Sequence, residues 1–191
     1  VNQNWKGIGK WDIMASGNWN GNGAWPALPS SPSIELIGGK RHQDMQLEWM
    51  PGTNCSGPVY SFEGHSEGGD SLKIPIGEEE YIWIEFRSDY GFDSHLPGNG
   101  LLVLQQDLRA GEVEDNLVNS HPERAWLKVI EADGEQNMVA GSNDGEESDL
   151  FGDGDTFGSH GITIRNRDGI LVDWKADVSV DNGTYTIEFS S

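Results

Sequence analysis

Cysteine is almost absent from this sequence of 191 residues, where Cys55 stands alone and no internal disulfide framework is possible. A plain thiol, not a nucleophile, is the expectation for it. Basic residues are also scarce. With 12 Lys and Arg against 32 Asp and Glu, the formal net charge is −20, which argues against nucleic acid or an anionic membrane as partner and in favour of cations. No apolar run approaches the ~20 residues of a membrane-spanning helix, so membrane insertion is not expected. The N-terminus lacks the charged, apolar and small-residue plan of a signal peptide. Catalytic signatures are missing too. There is no HExxH, no Gly-x-Ser-x-Gly elbow and no phosphate loop, and His42, His65, His95, His121 and His160 stand far apart without metal-ligand spacing.

What is present reads as a single mainly β domain over residues 1–191, an antiparallel β-sandwich or strongly bent sheet with one short helix and long ordered loops. Tyr81–Phe86 and Leu101–Leu104 are the most apolar stretches. In the first, Ile82, Ile84 and Phe86 share one face while Tyr81 and Trp83 occupy the other, and the second has no alternation at all, so both should be central strands covered on two sides. Further strands are expected near Val59–Glu63, Leu72–Ile76, Trp126–Glu131 and Ile162–Asn166. A closing hairpin completes the set. Ile170, Val172, Trp174, Ala176, Val178 and Val180 alternate with Leu171, Asp173, Lys175, Asp177 and Ser179, and Asp181-Asn182-Gly183 turns the chain into Tyr185, Ile187 and Phe189. About eight strands result, mostly antiparallel because no convincing helices connect them. Residues 59–191 form this β core.

The possible helix lies in residues 33–50, capped by Ser33, interrupted by Gly38-Gly39 at ~1 kcal/mol per glycine and stopped by Pro51-Gly52. Residues 1–32 are rich in Gly, Asn and Trp. The tryptophans there (Trp5, Trp11, Trp19, Trp25) either pin an irregular segment to the core or stack on sugar rings, and the first reading is preferred because sugar platforms usually sit on rigid sheets.

The acidic loop 143–158, NDGEESDLFGDGDTFG, is the densest polar cluster. Asp144, Glu146, Glu147, Asp149, Asp153 and Asp155 fall within 12 residues without one Lys or Arg. Glycines let such a loop curl, Leu150, Phe151 and Phe157 tether it, and hard oxygen donors suit calcium rather than zinc. Asp144, Glu146, Asp149, Asp153 and Asp155 are the candidate calcium ligands. A second acidic group, spread over Asp107, Glu112, Glu114, Asp115, Glu131 and Asp133, is more simply read as surface charge, although Asp107 and Glu131 end predicted strands and could meet at one sheet edge.

Several motifs occur in an order that resembles one family. Gly7-Ile8-Gly9-Lys10-Trp11-Asp12-Ile13-Met14-Ala15-Ser16-Gly17 looks like the Met-turn segment of the immune inhibitor A type (M6-like) secreted zinc metalloproteases. Tyr81–Arg87, Gly91-Phe92-Asp93, Leu96–Val103, Asp115–Asn119, Glu131–Gly134 and Ser148–Phe157 are similar to later segments of that family. The resemblance implies a C-terminal half. The zinc-binding HExxH helix would lie upstream, in an N-terminal catalytic half of the parent protein, and zinc and peptide substrate would belong to that complete parent. Trp11, Asp12 and Met14 would form the Met-turn, with Met14 a hydrophobic floor that ligates nothing. Gln105-Gln106 departs from the Trp-His that the family commonly carries after its second central strand. The expectation is therefore a secreted or cell-surface, calcium-binding, non-catalytic half-domain. The alternative is a stand-alone calcium-stabilised β-sandwich that binds carbohydrate or protein at a cell surface.

Overall fold

A computed structural model describes residues 5–49, 55–110, 119 and 121–191. In chain order the strands are β1 (His42–Asp44), β2 (Ser56–Phe62), β3 (Ser71–Gly77), β4 (Glu80–Arg87), β5 (Gly100–Asp107), β6 (Leu127–Val129), β7 (Thr156–Gly158), β8 (Ile162–Thr163), β9 (Lys175–Asp181) and β10 (Thr184–Ser190). They form two five-stranded sheets, β1-β3-β4-β5-β6 and β2-β10-β9-β7-β8. The mainly β expectation holds, and of the sandwich and the bent sheet it is the two-sheet form that is built. Most pairings are antiparallel, but β1 joins β3 and β7 joins β8 in parallel, so both sheets are mixed.

The central strands β4 and β5 pair over their full length, Glu80 opposite Asp107 and Arg87 opposite Gly100. Because side chains alternate, Ile82, Ile84, Phe86, Leu101 and Val103 face the second sheet and pack with Phe157, Trp174, Ala176, Val178, Ile187 and Phe189. The opposite side chains, Trp83, Leu102 and Leu104, meet a second apolar layer made of Ile8, Trp11, Trp126, Met138 and Leu150. This is why neither face of β4 or β5 shows a polar stripe. The N-terminal segment and the stretch around 126–150 roof the outer face of the first sheet.

The closing hairpin turns at Asn182-Gly183, with Thr184 opposite Asp181. Both turn residues have positive φ, 50° and 82°, as a two-residue hairpin loop of this hand requires. Its regular strand begins at Lys175, and Ile170, in the segment before it, is exposed.

The helix differs from expectation. It is α1, Ser31–Leu36, and it stops at Gly38, where φ is +86°. Ser33 lies inside it and Ser30 holds the N-cap position. From Lys40 to Trp49 there is no helix. His42–Asp44 adds an edge strand beside β3, and Met45, Leu47 and Trp49 pack on the inter-sheet core while Gln46 and Glu48 stay outside or at the rim. That alternation has period two, the period of a strand rather than a helix. Pro51-Gly52 lies outside the described residues.

A buried ionic knot ties the roof to the first sheet. The Arg87 side chain is fully buried. Its Nε and Nη2 donate to Asp93 at 2.9 and 2.8 Å, and Nη1 donates to Glu85 and to the Trp11 carbonyl at 2.9 and 2.7 Å. Nη2 also reaches the Leu28 carbonyl at 3.4 Å. Asp93 in turn accepts from the Leu28 amide, and Glu85 from the Ser31 amide. The loop between β4 and β5, which carries Asp93, is thereby fixed against the N-terminal segment.

Candidate metal centre

Three acids converge beside the roof. One carboxylate oxygen from each of Glu131, Asp133 and Asp149 lies within 4.8 Å of the others, with Glu131 and Asp149 buried and Asp133 exposed. Local structure explains each position. Glu131 follows the edge strand β6 and accepts the amides of Asn137 and Met138 at 2.7 and 3.2 Å, holding the start of α2 (Asn137–Ala140). Asp133 sits in the next turn, accepting the Glu135 amide at 2.9 Å and the Ser148 hydroxyl at 2.8 Å. Asp149 closes a capping box, its Oδ2 accepting the Glu146 amide at 2.8 Å. The Ala132 amide donates to the Asp149 carbonyl at 3.1 Å and stitches the two segments together.

The other Asp149 oxygen, Oδ1, is fully buried and has no hydrogen-bond partner. A buried acceptor left unmade carries a desolvation cost of about 1 to 3 kcal/mol, more for a charged one. The Trp11 indole N–H, likewise outside regular hydrogen-bond geometry, comes close enough to the Asp149 carboxyl to act on it. Burial drives the Asp149 carboxyl up to about 6, and the charges of Asp133 and Glu146 push the same way, against the Glu146 amide and the Trp11 indole. Glu131 is raised as well, first by burial and then by Asp149 and Asp133, against the amides that it accepts. A proton or a cation satisfies such a cluster. The acid triad can hold a metal ion, and the orphaned Asp149 oxygen is the observation that distinguishes it from ordinary surface charge.

In metal-free protein the sign of the pH dependence follows. Asp149 titrates near 6 when folded against an ordinary value of 3.8, so the folded state holds its proton more tightly. Stability should then fall as pH rises from about 4 to 6, by up to ~3 kcal/mol. Urea melts in chelator at pH 4.5 and 7 check this, and Asp149→Asn should flatten the slope across that window. An unchanged slope in the variant would show that other carboxylates set it.

Of the acids singled out in loop 143–158, only Asp149 joins the triad. Asp144 pairs with Lys10 at 3.0 Å and Lys6 at 3.7 Å. Its carboxyl is held below the usual range, since these lysines and the Ser16 hydroxyl outweigh its partial burial. Glu146 caps the turn and accepts from Asn143. Asp153 accepts the Val180 amide at 2.9 Å, and Asp155 accepts the Gly152 amide at 2.7 Å. These two carboxylates shape a turn against β9. Glu131 and Asp133 belonged to the group read as surface charge. Asp107 and Glu131 do not meet: antiparallel pairing of β5 with β6 puts Asp107 beside Trp126 and Ile130 beside Val103, at opposite ends of the ladder. Glu112, Glu114 and Asp115 lie outside the described residues.

Trp11, Asp12 and Met14 occupy one rigid turn. Trp11 is fully buried in the roof, and Asp12, also fully buried, accepts from the Met14 amide at 2.7 Å and from the Ser30 amide and Ser33 hydroxyl at 2.8 and 2.7 Å. The Ser30 hydroxyl donates to it as well. Met14 is left 74% exposed at the rim of a groove of about 620 Å³ that also involves Ile13, Leu36, Ile37 and Trp126. The histidines do not fit a zinc site. His65 Nε2 faces the Pro29 carbonyl, His42 meets the Trp83 ring edge-on, and His95 stacks on Trp25. Trp5 and Trp11 pin the N-terminal segment, as expected, whereas Trp19 and Trp25 are exposed.

Fold and site together define an acid-rich, two-sheet β domain with a candidate metal centre at the edge of its first sheet. No family model matches the sequence, and no curated protein matches it. No helix among the described residues is long and apolar enough to cross a membrane.

Proposed function

We propose that this chain is the calcium-binding, non-catalytic C-terminal half of a secreted, M6-like zinc metallopeptidase domain, completed by an N-terminal catalytic half that carries the zinc ligands. The observation that carries this reading is the turn at Trp11-Asp12-Ile13-Met14. Four donors fix the Asp12 carboxylate, two of them hydroxyls, and the turn so braced displays a bare methionine beside an apolar groove. A buried carboxylate with that many partners is a rigid support, and a large exposed apolar patch at its tip suits a protein surface rather than water. The motif order from Tyr81 to Phe157 supports the same family. On this reading zinc and peptide hydrolysis belong to the completed parent, as the resemblance implies.

Calcium is the metal we assign to Glu131, Asp133 and Asp149. All three offer hard oxygen donors, and calcium accepts the irregular geometry of a turn and a strand end, whereas magnesium gives up its water reluctantly and zinc prefers His or Cys. The experiment has two arms. The coding sequence upstream should contain an HExxH, and the joined protein should hydrolyse casein in a chelator-sensitive way while this chain alone does not. An upstream sequence without that motif ends the metallopeptidase reading. In the second arm, for a site with Kd ~10⁻⁴ M, 10 mM calcium should stabilise the chain by about 2.7 kcal/mol, a melting-temperature rise of several degrees. Magnesium should do less, and Asp149→Asn should remove the rise while Asp153→Asn keeps it. Coincident calcium and chelator melts would exclude calcium.

The stand-alone carbohydrate-binding reading keeps one observation in its favour. Trp19 and Trp25 are 74% and 44% exposed, and Trp25 stacks on His95 at 5.5 Å with 10° between the planes. Such flat faces can take a sugar ring.

A further inference from the structure

The strongest unexplained feature lies at the open edge between the sheets, away from the Met14 groove. A cleft of about 650 Å³ runs between the end of β5, the edge strand β6 and the segment that follows β8. Five of the chain's 12 basic residues line it, against four acids. For a protein in which acids outnumber bases by 32 to 12, that local balance is inverted.

Lys128 is the central group. On the face of the first sheet that looks toward the second, the cross-strand row runs Ile82, Gln105, Lys128, so the lysine takes a place that would otherwise close the apolar core. It is half-buried there. Among the described residues no acceptor comes within hydrogen-bond distance of its Nζ and no carboxylate within the 4.0 Å of an ion pair. Two of the four acids are already committed. Glu80 accepts from Gln105 at 2.8 Å and from the Arg167 amide at 2.9 Å, and Asp107 pairs with Arg167 at 2.7 Å. Arg109 is taken by Glu79 at 3.0 Å. Arg165 spends one guanidinium nitrogen on the Gly169 carbonyl at 2.9 Å, and the Arg124 guanidinium makes no bond to a described residue. Among the described residues, Lys128, Arg124 and Arg165 therefore face one cleft without a carboxylate partner.

An unpaired ammonium withdrawn from water is costly. Burial pulls the Lys128 amine below its ordinary value, against the attraction of Glu80. The remote negative charge does not prevent an anion from entering. At physiological salt the Debye length is about 8 Å, so distant carboxylates are screened and the groups in the cleft decide. Arginine and lysine side chains together are the usual recognition set for carboxylate and phosphate.

We propose that this cleft is a binding site for a small oxyanion, a phosphate or carboxylate group held between the Lys128 ammonium and the Arg124 and Arg165 guanidiniums. Neither the metal triad nor the metallopeptidase reading carries this assignment, although Lys128 and the triad's Glu131 also line a neighbouring pocket. It gives the chain an anionic ligand as well as a cationic one.

Calorimetric titrations of the whole chain with inorganic phosphate and with succinate, in calcium-free buffer at fixed ionic strength, test it against chloride. Preference for phosphate or for succinate names the class of ligand. Lys128→Met should lower the association constant at least about tenfold, the effect of one charge-assisted hydrogen bond. The variant should fold, with a melting temperature equal to or above wild type, because it removes an unpaired charge. Lys175→Met, distant and paired to Asp177, should bind as wild type. Absence of heat and of any melting shift with both oxyanions would overturn the site. So would equal weakening in the two lysine variants, which marks a general charge effect.

Discussion

Arg87→Met should destabilise the protein by ~3 to 5 kcal/mol, the usual cost of stripping one partner from a buried ion pair. The size comes from what is left behind. All five guanidinium N–H groups are satisfied in the native protein, by Asp93, Glu85 and the carbonyls of Trp11 and Leu28. Methionine fills similar volume but leaves Glu85 and Asp93 fully desolvated without their cation. Burial alone would raise the Glu85 carboxyl, but His65 and Arg87 outweigh it and hold the group below its usual range. The sign of the pH response therefore reverses between wild type and variant. With Glu85 lowered, the wild-type contribution is present above the ordinary carboxylate range and is lost as pH falls through the lower folded value. In the variant the orphaned carboxyls should bind protons more tightly than the unfolded chain, so stability should recover as pH drops. Urea unfolding of both proteins at pH 7 and 5 measures the difference. A loss under ~1 kcal/mol with no change in pH slope would mean that water reaches the knot.

The knot also shows how far sequence reasoning reaches. β4 and β5 were legible because Tyr81–Phe86 and Leu101–Leu104 are apolar on both faces, which only a doubly covered strand tolerates. Glu85 and Arg87 sit at the end of the same strand and give no sign that they are buried. Their partners come from residues 11, 28, 31 and 93, and no local period announces a contact of that range. The hairpin at Asn182-Gly183 was legible for the opposite reason, since turn chemistry is local.

The helix expected beyond Lys40 failed on a competing period. Met45, Leu47 and Trp49 alternate with Gln46 and Glu48, and the segment that continues from β1 lays that pattern on the core where a helix cannot. The metal centre was half legible. Density of carboxylates drew attention to loop 143–158, but density measures repulsion, and four of the five acids chosen there find lysines or backbone amides of their own. What marks a ligand is a buried oxygen with nothing to accept from. That property belongs to Asp149 Oδ1, and its neighbour in the triad, Glu131, stands 18 residues earlier in the sequence.

Trp174→Ala should cost ~3 to 5 kcal/mol by emptying the centre of the inter-sheet core. Trp174 is 2% exposed and precedes β9, where its ring meets Phe157 and Phe189 edge-on at 6.2 and 5.8 Å. Those two rings come from β7 and β10, so one side chain just ahead of β9 ties two strands of the second sheet together. Collapse into the vacated space is blocked on one side by backbone. A Cβ at Gly158 would stand 2.4 Å from the Trp174 carbonyl and 2.9 Å from its ring, which leaves β7 already at closest approach. The next residue gives the contrast. Lys175 is half exposed and pairs with Asp177 at 2.7 Å on the outer face, a contact worth less than ~0.5 kcal/mol once side-chain entropy and salt are counted. Denaturant unfolding of Trp174→Ala and Lys175→Ala should therefore separate by at least ~2.5 kcal/mol. Equal losses would place the two side chains on the wrong faces and undo the register of the second sheet.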